Sequence, residues 1–194
     1  MSDAPISELE ASSLEVLERS GWSNAELIWE QIQESAAQCN QAGDTQEAAE
    51  MWVGALEVAE QYFAPNDLRL ATSISNRALA LRRDGDLDTA KRLFDRSLAI
   101  WSTPDDWLAN LRPDHRARSS TFHFRLQTKH PGGYDRFSLE RYQALAAEGH
   151  SVVVRVAQGE AVDGQRQKRW RNEKPQRFTD ARKLLAAVLL IATR

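Results

Sequence analysis

The chain has 194 residues, of which 42% are hydrophobic and 27% charged, with 9 Gly and 6 Pro. That balance fits a folded chain and excludes a long disordered linker. Cys39 is the single cysteine, which excludes an intrachain disulfide and fits a reducing compartment. The net charge of −3 hides a separation: residues 1–64 carry 13 acids and the single base Arg19, net −12, whereas residues 65–194 carry 15 acids and 24 bases, net +9. The separation reads as solvated faces at opposite ends of an elongated molecule, or as two ends that attract different partners or each other's copies in a homo-oligomer.

Residues 1–23 read as an acidic N-terminal arm or leading helix, rich in Glu, with Leu9, Leu14 and Leu17 spaced for one helical face. Met1 to Glu10 contain three acids and no base, without the apolar core of a secretion signal. The longest apolar run, Leu184 to Ala192, spans nine residues, too short for a bilayer. A cytoplasmic location and no membrane partner are the expectation.

A repeat follows. Gly43-Asp44-Thr45-Gln46-Glu47-Ala48, with Trp52, Ala55 and Leu56, superposes on Gly85-Asp86-Leu87-Asp88-Thr89-Ala90, with Phe94, Ser97 and Leu98, at an offset of 42 residues. Glycine suits the left-handed end of a helix. Ala48 and Ala90 are small where two helices would cross, and Trp52 and Phe94 would fill a hairpin. Nineteen residues before each glycine stands a candidate N-cap: Asn24, Asn66 and, before Gly133, Asp114. The helical hairpins are expected over 24–62, 66–102 and, in degenerate form, 114–148. Ser119 to Leu126 fits a helix but also alternates like a strand, and Ser151 to Val156 holds four valines in six residues, which favours strand geometry. A short β element within 119–157 therefore stays open. Residues 149–194 read as a basic loop, 159–177, and a last helix capped by Thr179 or Asp180 and running to Ala192. Its Leu184, Leu185, Val188, Leu189 and Ile191 leave little polar face, so it is expected to cover the open end of the array.

These residues resemble the tetratricopeptide repeat family, and the 42-residue period with its Pro65-Asn66-Asp67 linker resembles the longer repeats of kinesin light chains. Ser75 to Asp86 is nearest to the family's first-helix pattern. The resemblance implies an all-α, right-handed superhelical array of about three hairpins with a capping helix. It also implies an adaptor, scaffold or assembly chaperone that takes a protein or peptide in a concave groove lined by the first helix of each hairpin. The groove residues would be Glu30, Gln33, Glu34, Ala37 and Asn40 from the first unit, and Thr72, Ser75, Asn76, Leu79, Arg82 and Arg83 from the second. Ser120, His123, Phe124 and Gln127 would come from the third. Asn76 matches an asparagine with which chaperone-binding members grip a terminal carboxylate. Gln33 and Ala37 stand where that grip needs Lys and Asn, so a chaperone tail is not the expected ligand. Asn76, Glu30 and Glu34 also read simply as solvated helix residues.

Two other functions compete. Arg166, Lys168, Arg169, Arg171, Lys174 and Arg177, with Trp170 among them, could meet the phosphates of a nucleic acid or an anionic surface and stack on a base. The alternative for that segment is a basic loop with Trp170 folded onto the protein. A small α+β enzyme at the C-terminal end would need strands at 119–127 and 151–157. His115, His123, His130 and His150 lack metal-ligand spacing, and no nucleophile motif or Gly-rich phosphate loop is present. No catalytic residue, metal or cofactor is expected.

Overall fold

The computed structural model describes residues 22–111, 133–160, 162 and 180–193. Among them every regular element is a helix and no strand occurs: α1 (Asn24–Ala42), α2 (Thr45–Tyr62), α3 (Leu68–Arg83), α4 (Leu87–Trp101), the short α5 (Asp105–Ala109), α6 (Gly133–Ala157) and α7 (Asp180–Leu189). No helix among these residues is long and apolar enough to cross a membrane. The acidic arm up to residue 21, Asp114, the ambiguous segment at Ser119 to Leu126, and the basic run from Arg166 to Arg177 lie outside the described residues.

Helices α1–α4 form two hairpins, each closed by a glycine. Gly43 (φ 96°) and Gly85 (φ 88°) adopt the left-handed conformation. Each lets the next residue's N–H reach back into the helix just ended: Asp44 to the Cys39 carbonyl and Asp86 to the Leu81 carbonyl, at 2.9 and 3.0 Å. Ala48 and Ala90 are buried at the crossings, and Trp52 and Phe94 are buried between the helices. Successive helices pack on one another in chain order, α1 on α2, α2 on α3 and α3 on α4.

The caps differ from the sequence expectation by one position. Ser23, not Asn24, caps α1, forming a reciprocal box with Glu26. Asp67, not Asn66, caps α3, its carboxylate accepting the Arg69 N–H at 2.8 Å. Asn66 is spent inside the turn that the Asp67 N–H closes onto the Ala64 carbonyl, so the side chain that follows the turn becomes the cap.

The third unit departs further. Gly133, expected to end a helix, begins α6, which runs past residue 148 to Ala157. The valine-rich stretch Ser151 to Val156 is helical, which removes the strand left open there. β-Branched residues cost a helix only a few tenths of a kcal/mol each, whereas Val152, Val153 and Val156 are all buried on one helical face. The helix stops at Gly159 (φ 80°), where the Glu160 N–H returns to the Arg155 carbonyl. Helix α6 packs against α4 and α7. A Cβ on Gly149 would lie 2.6 Å from two ring atoms of Trp101 and 3.2 Å from Val188, so glycine sets how closely these helices approach.

The last helix is shorter than expected, ending at Leu189, and lies against α3 and α6. It reaches the residues expected to line the groove. Leu184, Val188, Leu189, Leu190 and Ile191 are each at most 1% exposed. A segment apolar on all sides needs burial on more than one side, and α3 and α6 provide it.

Candidate functional site

The face shared by α1 and α3 gathers polar side chains that the hairpin geometry brings together from 40 or so residues apart. Asn76 is fully buried. Its Nδ2 donates to the Gln33 side-chain oxygen at 2.8 Å and to the Leu190 carbonyl at 3.0 Å, while its Oδ1 accepts the Ala192 N–H at 2.7 Å. One amide thus brackets two residues of main chain. Thr72 Oγ1 lies 2.5 Å from the Ala187 carbonyl and 3.0 Å from that of Leu68 in its own helix, and the two share its one proton. Asn40 Nδ2 donates to the Thr193 carbonyl at 2.9 Å, and Asn40 Oδ1 accepts from Arg83 at 2.7 Å. Residues 190–193 unwind from the end of α7, and three side chains of the face meet backbone groups of its last turn and of this extension that lack helical partners.

Charge fixes the other end of the segment. Arg182, 7% exposed, pairs with Glu30, its Nε lying 3.0 and 3.1 Å from the two carboxylate oxygens. Lys183 reaches Glu26 at 2.7 Å, and both cations lie over the Trp22 ring, at 5.5 and 5.3 Å. Glu26 in turn meets Arg69 at 2.8 Å, and Arg69 is forked onto Asp67 and stacked 4.1 Å over Phe63. Burial pushes the Glu26 carboxyl up, but the Arg69 charge and hydrogen bonds from Lys183, Ser23 and Arg69 outweigh it, leaving Glu26 below its ordinary value. Burial likewise disfavours the Arg69 cation, and Asp67 and Glu26 more than restore it, raising its pKa.

The structure therefore places the expected groove residues together but not in solvent. Glu30, Gln33, Ala37, Asn40, Thr72, Ser75, Asn76 and Leu79 are all buried. Glu34 is half-buried. The reading of Glu30 and Asn76 as solvated helix residues is overturned: each binds the C-terminal segment. Gln33 adds a bond to Ser73, which also accepts from Trp29 Nε1. Ser75 Oγ is buried with no hydrogen-bond partner among the described residues. Ser120, His123, Phe124 and Gln127, and the anion-binding candidates Arg166, Lys168, Arg169, Trp170, Arg171 and Lys174, lie outside the described residues. Sequence reasoning missed Arg182 and the main chain of 187–193 as contacts of this face. The available signal was the pair Arg182 and Lys183 at the start of a helix with little polar face.

Arg82 and Arg83, in the last turn of α3, stand at the end of the face beyond Leu79. Arg82 donates to the carbonyls of Val156 and Ala157 at the end of α6. With Leu79, Val156, Gly159 and Glu160 the two arginines border a cavity of about 230 Å³.

Residues 30–103 match the family model described as Tetratricopeptide repeat. Searches of curated proteins and of solved structures found no match to the chain. The matched stretch runs from within α1 to just past α4, and it supports a tetratricopeptide repeat over the two hairpins, a repeat type that generally mediates protein–protein interactions.

Proposed function

We propose that this protein is an interaction module of the adaptor kind that receives a protein partner at the Leu79–Arg83 end of the α1–α3 face. The observation that carries this reading is the C-terminal segment on the rest of that face, bonded through its main chain by Thr72, Asn76 and Asn40. Those bonds do not depend on side-chain identity, so the face is chemically a holder of peptide backbone. Here the peptide it holds is the chain's own.

Magnitudes argue against a partner that displaces this segment. Five large apolar side chains, buried at roughly 1.5–3 kcal/mol each, contribute on the order of 8–15 kcal/mol, an upper figure because the unfolded chain is itself partly compact. A tethered segment also competes at about millimolar effective concentration. A partner binding beside the segment avoids both costs.

Amide hydrogen exchange on the full chain, alone and with a partner captured on it, tests the reading. New protection is expected near residues 79–83 and 156–160, with the Ala192 amide as protected as before. Faster exchange at residues 187–193 on binding would mean displacement and would reject the placement.

A further inference from the structure

We propose that the Arg82–Arg83 cavity is a recognition site for a carboxylate carried by an acidic peptide segment of the partner, an inference that rests on the interaction reading above and narrows it. Neighbouring residues of a helix point about 100° apart, so two consecutive arginines ordinarily diverge. Here an aromatic ring supports each: the Arg82 guanidinium lies 5.3 Å from the Phe94 ring and that of Arg83 lies 5.9 Å from the Trp52 ring. Both then border one cavity.

Among the described residues, the hydrogen bonds of the two guanidinium groups go to neutral acceptors. Arg82 meets two carbonyls at the end of α6, and Arg83 meets the Asn40 side-chain oxygen. Glu160, the carboxylate at the cavity, is taken by Arg155 at 2.7 Å. The contrast with the other end of the face is direct: Arg69, Arg182 and Lys183 each face a carboxylate. Burial holds the Arg82 guanidinium below its ordinary value, and burial together with the Arg82 charge does the same to Arg83. Two like charges side by side are relieved by an anion, and each guanidinium retains N–H groups beyond the bonds named here.

Shape and charge choose the ligand. The cavity is smaller than the roughly 300–1,000 Å³ of a drug-sized pocket, but it admits a side-chain carboxylate on an extended segment. The forked, planar guanidinium suits the two oxygens of a carboxylate. The two guanidinium charges that border one cavity would attract a carboxylate at short range. The site is separate from Asn76, whose amide is engaged by the C-terminal segment.

The test is a titration of the full chain, followed by nuclear magnetic resonance, with a short acetylated and amidated peptide carrying two glutamates between glycines. Its glutamine counterpart and inorganic phosphate are the comparisons. The glutamate peptide is expected to bind, to weaken as salt rises, and to bind about tenfold tighter than the glutamine peptide. Arg83 is exposed, so Arg83→Gln should keep the wild-type melting temperature and lose binding about tenfold, while Arg83→Lys should retain part of it. Equal binding of the two peptides, equal binding by wild type and Arg83→Gln, or saturation by phosphate with the glutamate peptide unbound would each overturn the proposal. This titration needs no natural partner. A partner footprint elsewhere on the molecule would sink the interaction reading and leave the titration result standing.

Discussion

Asn76 shows how a side chain that looks polar and solvent-facing in sequence becomes a fixed structural clamp. It faces three groups at once, the Gln33 amide, the Leu190 carbonyl and the Ala192 N–H, and its two ends donate and accept in the required order. Buried amides are stable only when so satisfied. Gly149 makes the complementary point about space. Alanine is the better helix former by about 1 kcal/mol, yet a Cβ there would meet the Trp101 ring at 2.6 Å. Trp101 is 2% exposed and cannot swing aside. Gly149→Ala should therefore destabilise the protein by about 1–3 kcal/mol through overpacking, read as a lower urea midpoint at unchanged slope. A higher midpoint would mean that α6 and α4 can part without cost.

Helix α6 and helix α7 carry the lessons at the scale of elements. Tyr142, Ala146, Gly149, Val153 and Val156 are all buried and follow one another at steps of four, three, four and three residues, a single unbroken helical stripe. That periodicity was present in the sequence and outweighs the local strand preference of four valines. Helix α7 is held at its start by ions and at its end by backbone hydrogen bonds. The ionic half is sensitive to pH with a definite sign. Glu26 lies below its ordinary value in the folded protein, so its stabilising contribution is complete above the ordinary carboxylate range and is lost as pH falls through the depressed value. Acid should thus loosen the start of α7, where Lys183 meets Glu26, before the backbone clamp at Leu190 and Ala192. Amide exchange from pH 7 down to about pH 3 is expected to show earlier loss of protection near residues 183–186 than at Ala192. Glu26→Gln should flatten that difference, and a pH response identical to wild type would remove Glu26 as its cause.

On the scale of the whole molecule, the C-terminal segment belongs to the core and is not an appendage. Leu184, Ala187, Val188, Leu190 and Ile191 share one buried cluster with Trp29, Ile74 and Trp101. Domains of this kind are stable by only about 5–15 kcal/mol, the same size as the burial contributed by residues 184–191. A chain ending at residue 179 should accordingly lose its cooperative thermal transition by circular dichroism, keep part of its helical signal, and bind a hydrophobic dye. A sharp transition retained in that truncation would show the segment to be a dispensable cover, and displacement by a partner would become affordable.

Much of the two hairpins could be read directly from the residues. Gly43 and Gly85 close the turns, Ala48 and Ala90 sit at the crossings, and Trp52 and Phe94 fill between helices, because each of these choices answers a local requirement of backbone conformation or side-chain volume. Whether the α1–α3 face stays open was not legible in that way. Asn40, Thr72 and Asn76 were singled out as peptide-holding residues, but their ligand lies more than a hundred positions later in the same chain. The sequence by itself determined the helices, their turns and the polar character of one face, since those follow from interactions a few residues apart. Only the tertiary structure decided that the chain fills that face with its own end and leaves Arg82 and Arg83 beyond it, because pairing between distant segments depends on packing that no local pattern records.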